Sequence, residues 1–578
     1  MSVGRLLRTL RHLTPEQLVG QVRVRAQRAA GWPRPPTAVT PPFGGVLDTA
    51  APPLPPRTVA SARNVQAGRL RFLNETRELG AGASGGYRWE PEGASLLWRY
   101  NLHYLDYLWD VDATTARAIT ADWIAQHAPA ARRVGWEPYP TSLRLQNWAL
   151  VHCVRDRSET LADTAFTDLL WRSVWAQVEH LRTRLETHLQ GNHLLENAIA
   201  LTLVGSVFEG PAAAEWKAQG LSLLAHELQS QVLLDGMHYE RSPMYQLHVL
   251  RALHNLQCVG DPESDAVTEP VVERMRAAAR KLIHPDGQIA LLNDAALNIE
   301  PAPRPLVGPA ATVAVGGGET FQLASAGYFG ARSQVSGGEH YVVCDAGLVG
   351  PDHIPGHAHA DTLGFELSLF GARLAVDTGT FDYLPTPMRR HCRSTAAHNT
   401  VELDGQDQSE MWGAFRVGRR ARPRAVIFQQ RPSGFTLEAE HDGYKHLPGA
   451  PIHRRRFHWE HAGRLTVTDR VRGDRSTVVR SRIHLHPDVR VVTMRGQRVV
   501  LAHGSQRVEV WFDGGGHLAR RAAAYCPELG RQHASEALVY TQLGAQVGCG
   551  FCISAQQLHG YTLEGGAIVG DGGRPAQA

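Results

Sequence analysis

The feature that most constrains this chain is a change of period near its middle. Between about Arg69 and Asp294, Trp171, Val174, Trp175 and Val178 recur at i, i+3, i+4 and i+7, and Leu181 and Leu185 continue the stripe. Past the breaker-rich stretch from Pro301 to Gly318 the period falls to two. Phe365, Leu367 and Leu369 alternate with polar or small residues, as do Leu465, Val467 and Val471, and Val508, Val510 and Phe512. Helices repeat every 3.6 residues and strands every two, so the halves require different elements. A helical array without intervening strands, followed by antiparallel strands, predicts an α+β chain of separate domains.

At 578 residues the chain exceeds one ordinary core. Three segments are expected: an arm and linker over 1–65, a helical domain over 66–305 and a β-domain over 306–578. Nine prolines between 33 and 56 suit an extended linker or a surface-hugging arm. Gly210-Pro211 and Gly260-Asp-Pro262 separate successive helices.

Several function classes are excluded or disfavoured. The +4 formal charge is spread over the chain, and its arginines are scattered, so nucleic acid is not indicated. No apolar run is long enough for a transmembrane helix. No phosphate-binding glycine loop lies between a strand and a helix, which argues against a nucleotide cofactor. Seven cysteines without repeated spacing argue against a disulfide framework, and Cys549-x-x-Cys552 lies in a strand-like stretch without a partner pair. Met1 to Arg28 lacks the continuous apolar core of a secretory signal, which by itself points to the cytoplasm. Oligomeric state is not legible.

The densest polar constellation is Gly356-His-Ala-His-Ala-Asp361, followed by Asp377-Thr-Gly379 and His398-Asn-Thr400. On an extended strand His357 and His359 point to one face. With a carboxylate and a third histidine from neighbouring strands they make a plausible zinc site, or a set of hydrogen-bonded interior histidines. In the helical half, Gly191-Asn-His-Leu-Leu-Glu-Asn197 and Asp235-Gly-Met-His-Tyr-Glu-Arg-Ser-Pro-Met-Tyr245 each place several polar groups near a helix start. Capping by Asn192 and Ser242 accounts for one residue in each group only.

These pieces, with Tyr100-Asn-Leu-His-Tyr-Leu-Asp-Tyr107 and Trp136-Glu-Pro-Tyr-Pro, occur in an order that resembles the heparinase II/III-like polysaccharide lyases, a family with alginate-type relatives. The resemblance spans about residues 98 to 405. It implies an incomplete (α/α) toroid followed by an antiparallel β-sandwich, with an acidic polysaccharide bound between them. The implied chemistry is β-elimination across a glycosidic bond next to a uronic acid. Asn192, with His193, neutralises the carboxylate, Tyr245 and His357 transfer protons, and Tyr383 is a second active-site tyrosine. As a base, Tyr245 requires cationic neighbours, for which Arg241 and His193 are candidates. The resemblance makes His359, Asp377 and His398 ligands of a structural zinc. Arg241, Tyr104, Arg144 and Arg393 are expected at the substrate, Arg389 and Arg390 are further anion contacts, and Asp361 is a supporting residue.

The resemblance favours a periplasmic setting. Two other functions remain open at this level: metal-assisted glycan hydrolysis, and a non-catalytic glycan-binding or exopolysaccharide-assembly factor on a lyase scaffold.

Overall fold

The computed structural model describes residues 3–30, 52–57, 60–80, 86–128, 133–309 and 313–555, and the backbone of the strands Tyr561–Glu564 and Ala567–Gly570. Residues 31–51, which hold much of the proline-rich stretch, lie outside the described residues. Where that stretch is described it hugs the helical domain: Leu54 and Asn255 exchange hydrogen bonds of 2.8 and 2.9 Å.

After the N-terminal helices Val3–Leu10 and Pro15–Ala30 and the short Ala62–Gln66, the main helical array runs from Leu96–Tyr104 to Pro262–Lys281. The stripe read around Trp171 is the inner face of Thr164–Arg182, where Phe166, Leu170, Trp171, Val174, Val178 and Leu181 are buried. Their core continues through the almost wholly buried helix Gly191–Val207, packed between Pro138–Trp148 and Pro211–Gln231. One expectation fails locally: Arg69–Phe72 and Glu75–Glu78 form a hairpin inside the predicted helical region. Its turn residues Leu73 and Asn74 have φ of 54° and 61°, a pairing that a two-residue hairpin turn demands.

Strands begin at Gly318. Two long ones, Arg464–Leu485 and Arg531–Ser554, pair antiparallel from Arg464 opposite Ser554 to Leu485 opposite Glu536, with a register break between Arg472 and Thr477. Other antiparallel strands add on both sides into one branched 15-stranded system. The apolar faces enclose a core that includes Phe365, Leu367, Phe457, Leu465, Val467, Val479, Val510 and Phe551. The architecture is therefore a helical toroid followed by an antiparallel β-sandwich, as expected. Among the described residues no helix is long and apolar enough to cross a membrane, and all seven cysteines are free.

Loops from the β-domain carry the site toward the helices. In the Asp377-Thr-Gly turn, Gly379 has φ of 77°, and a Cβ there would lie 2.3 Å from the Cys526 carbonyl oxygen. Gly379→Ala is expected to destabilise the protein by about 1–3 kcal/mol. Denaturant unfolding that matches the parent's would remove this constraint on the turn.

Candidate active site

His357 and His359 do not lie on a strand. Pro351, Pro355 and Gly356 break the backbone, and the His-Ala-His-Ala-Asp segment is a loop held by Asn293 Oδ1, which accepts from His359 N at 3.1 Å, and by the Arg393 carbonyl, which accepts from Ala360 N at 3.1 Å. Both imidazoles nevertheless converge on one group. Asp294 Oδ2 faces His357 Nδ1 at 2.9 Å, and Oδ1 faces His359 Nε2 at 2.9 Å. Arg389 closes the cluster with both guanidinium ends on the same carboxylate, Nη2 at 2.7 Å.

Burial opposes the Asp294 charge, but Arg389 and the two histidines overcome it and hold the carboxyl well below its usual range. Asp294 is thus ionised and acceptor-only, so His357 donates to it through Nδ1 and turns its Nε2 the other way. That Nε2 lies 3.6 Å from Glu240 Oε2.

The helical domain supplies the opposite side. Ser242 caps the helix Pro243–Gln257 by accepting from Tyr245 N at 3.2 Å, which sets Tyr245 in the first turn. Its ring packs on His357 at 4.1 Å between centroids, and its hydroxyl is 3.3 Å from that of Tyr383. Asn192 caps no helix. Its amide donates to both Glu240 oxygens, at 3.2 and 3.3 Å, and its backbone N–H adds a third bond at 3.1 Å. His193 stacks on Tyr139 at 4.1 Å and faces Glu186 Oε1 at 3.0 Å. Burial disfavours its charge, but Glu186 first, then Glu240 and Glu196, raise the imidazole above its ordinary value.

The catalytic set named from sequence, Asn192, His193, Tyr245, His357 and Tyr383, is therefore gathered where the domains meet. His193, Tyr245, His357 and Tyr383 keep partial exposure, whereas Asn192 is buried. Tyr245 lacks the cationic setting expected of a tyrosine base. Burial, then Tyr383, then Asp294 and Glu240 push its phenol well above the ordinary value. Arg241 turns away from it and donates to the carbonyls of Ala326, Tyr239 and Ser325.

The other arginines named for substrate or anion contact are placed differently. Arg144 is buried on Gln177, the His103 carbonyl and the face of Trp123. Arg393 donates to the Ala358 and Ala414 carbonyls, fastening the histidine loop. Both, like Arg241, are spent on the protein's own groups, and Arg389 is spent on Asp294. Arg390 is exposed. Tyr104 is buried edge-on against Tyr139, and Trp136 is buried in the helical core.

Two residues at the centre were not singled out from sequence. In the sequence Glu240 is only one member of the Asp235–Tyr245 motif. Asp294 sits in the unremarkable Leu292-Asn-Asp, where a left-handed Asn293, φ 58°, gives the turn that aims it.

The ligand atoms of His359, Asp377 and His398 lie within 4.8 Å of one another, all buried. His398 Nδ1 is 2.6 Å from Asp377 Oδ2. His359 Nδ1 and His398 Nε2 are buried without hydrogen-bond partners, and so is Oδ2 of nearby Asp361, whose carboxyl burial pushes up to about 6. Unpartnered buried imidazole nitrogens beside a carboxylate are the donor set a divalent cation takes, so the residues present fit a metal. His486, Asp488 and His503, and Glu90, His103 and His127, form two further clusters. In the latter His103 Nδ1 accepts from Trp123 Nε1, which puts the ring proton on Nε2 and leaves no lone pair there for a cation.

Behind Tyr139 lies a buried triad. His248 Nδ1 is 2.7 Å from Glu300 Oε1, and its Nε2 is 3.2 Å from Glu196 Oε1. Burial works against the imidazolium, but the two glutamates raise its pKa to about 10. A folded value above the unfolded one, near 6.5, contributes stability that is complete below about pH 6.5 and disappears as pH rises toward about 10. The stability lead of the parent over His248→Gln is expected to shrink across that window in thermal unfolding. A lead independent of pH would contradict the triad's charge state.

Comparison with known proteins agrees with this architecture. Residues 112–300 match the heparinase II/III N-terminus, and residues 316–555 match the heparinase II/III-like C-terminal domain. FtsZ-localized protein C of Caulobacter vibrioides is 26% identical over 511 residues, 80% of this chain and 82% of its own. The heparin-sulfate lyase of Pedobacter heparinus is 25% identical over 333 residues, 51% of this chain and 50% of its own. Among solved structures, heparinase III superposes with a TM-score of 0.68 at 14% identity, over 85% of this chain and 82% of that one. A heparan sulfate lyase of Pedobacter heparinus gives 0.62 at 17%, over 93% and 88%. With the N-terminal and C-terminal domains both matched in order around the domain junction just described, the chain belongs to the heparinase II/III-like family.

Proposed function

We propose that this protein is a polysaccharide lyase that cleaves a uronic-acid-containing polysaccharide by β-elimination. The observation that carries the reading is the placing of Tyr245 and Tyr383 from opposite domains within 3.3 Å, over an imidazole locked by Asp294. Elimination requires three things: a neutralised carboxylate, a base for the C5 proton and an acid for the leaving oxygen. His193, whose charged form its glutamates favour, is suited to meet the carboxylate, and Asn192, its amide held on Glu240, stands beside it. His357 Nε2 is free to accept the C5 proton. The Tyr245 phenol, kept protonated by burial and its anionic neighbours, is suited to donate to the leaving oxygen, with Tyr383 hydrogen-bonded behind it.

His359, Asp377 and His398 would hold a zinc ion. Bound there it would supply structural cross-linking of the loops that carry His357, and no proton transfer requires it. Removal of divalent cations by a chelator is expected to lower the thermal midpoint, with recovery on adding zinc, and His359→Ala is expected to abolish that response. A midpoint indifferent to chelator and to zinc would remove the metal from the proposal.

A second reading has its own support: the relative that aligns along most of the chain is named for localisation to FtsZ, not for cleavage. On that reading the protein binds an envelope or exported polysaccharide of its own cell and acts as an assembly factor. Incubation with a panel of uronate polymers separates the two. The lyase reading expects the ultraviolet absorbance of an unsaturated sugar end, and polymer binding without any such product would favour the assembly factor.

A further inference from the structure

Three neighbouring strands of the β-domain present alternate residues to one side. In register, Arg480 lies opposite Thr541 and Thr541 opposite His517; Arg482 opposite Val539, and Val539 opposite Ala519; His484 opposite Ala537, and Ala537 opposite Arg521. Period two sends the intervening residues, Ile483, Leu485, Leu518, Leu538 and Tyr540 among them, into the core. The outer face is thus a trough of about 350 Å³. Its floor is small, made by Ala519, Ala537, Val539 and Thr541, and its walls are cationic, with Arg480, Arg482 and His484 on one side and His517 and Arg521 on the other.

The lining contains no carboxylate. The acid that reaches its wall is Glu402, which pairs with Arg482 and lies 3.8 Å from Arg480, so two guanidiniums share one carboxylate while Arg521 stands across the floor. Two buried nitrogens have no partner: Arg482 Nη1, a donor, and His484 Nδ1, which is left as an acceptor because Nε2 donates to the Ala396 carbonyl at 3.1 Å. Such vacancies in native proteins ask for a partner. A free guanidinium donor beside a free acceptor, above a floor of methyl groups and flanked by Arg480 and Arg521, matches a sugar ring that carries both an acidic group and hydroxyls. The trough is separate from the cleft, because Tyr245, His357 and Tyr383 do not line it. It adjoins the segment that builds the cleft, since His391 at its end follows Arg389 on the helix Pro387–Cys392.

We infer that this trough is an accessory binding site for an acidic residue of a polysaccharide chain, holding a polymer that reaches beyond the catalytic cleft. The inference rests on the reading of an acidic glycan as substrate, but not on cleavage of it. The test uses the full chain and its Arg480→Ala/Arg521→Ala variant, both changed positions being solvent-accessible, with unfolding curves confirming an intact fold. Binding of long heparan, alginate and pectate chains is measured by titration at two salt concentrations, with dextran as the uncharged control.

The variant is expected to bind the preferred acidic polymer roughly tenfold more weakly, with a flatter salt dependence. Arg521→Lys should stay within about twofold, because the charge persists. Turnover of a short oligosaccharide that fills only the cleft should not change, while KM for the long polymer rises. Equal binding of a long acidic polymer by parent and variant would overturn the inference, as would failure of the parent to bind any of the three. Weakened binding with no unsaturated product from either protein would support the trough while defeating the lyase reading. Unsaturated product with unaltered polymer binding would do the reverse.

Discussion

Tyr245→Phe is expected to lower the rate of polymer cleavage by about 10²- to 10⁴-fold, the range for loss of a positioned proton donor, while polymer binding changes by less than about threefold. The substitution removes one oxygen and keeps the ring that packs on His357 at 4.1 Å. Burial and the flanking Tyr383, Asp294 and Glu240 hold the phenol protonated, so the oxygen lost is a donor. Tyr383→Phe removes only its partner at 3.3 Å and is expected to cost less. Steady-state kinetics on one polymer decides the matter: parental turnover in the Tyr245 variant would take that residue out of the chemistry.

Asp294→Ala is expected to produce the largest loss of stability, about 3–5 kcal/mol, the cost of leaving a buried charge without its partner. One carboxylate accepts from Arg389 and His359, both fully buried, and from His357, which is partly exposed. Its removal strands the Arg389 guanidinium and frees both imidazoles at once. Activity should vanish with the fold's cooperativity weakened, and Asp294→Asn should recover part of the stability but not the ordering of His357 Nδ1. Chemical denaturation measures the difference, and a loss below about 1 kcal/mol for Asp294→Ala would show that the cluster is not the anchor of the loop.

The period change was legible because it is local: side-chain spacing of 3.6 or two is imposed by the backbone, so Trp171 to Leu181 and Val508 to Phe512 announce their elements without tertiary information, whereas Leu185 falls past the helix end at Arg182. The hairpin of Arg69–Glu78 was not, since its strands are four residues each and mostly exposed on one face. Among site residues, His357, His359, Asp377 and His398 stood out because histidines with carboxylates in short motifs are rare, even though their loop is no strand. The arginines misled. A guanidinium that matches a uronate in water matches a backbone carbonyl equally well when buried, and sequence does not say which Arg144, Arg241 and Arg393 meet. Asp294 was invisible for the opposite reason: it lies in an ordinary segment, and only the fold brings it under two histidines and Arg389.

The central claim is that the bond breaks by elimination. Cleavage in heavy-oxygen water, followed by mass analysis of the fragments, tests it most directly. Elimination leaves fragments whose masses sum to that of the parent chain and which take no oxygen from water at the cut. Fragment masses that sum to the parent chain plus one water per cut, with that water's heavy oxygen on one of the two new ends, would mean hydrolysis and would contradict the roles given to His357 and Tyr245.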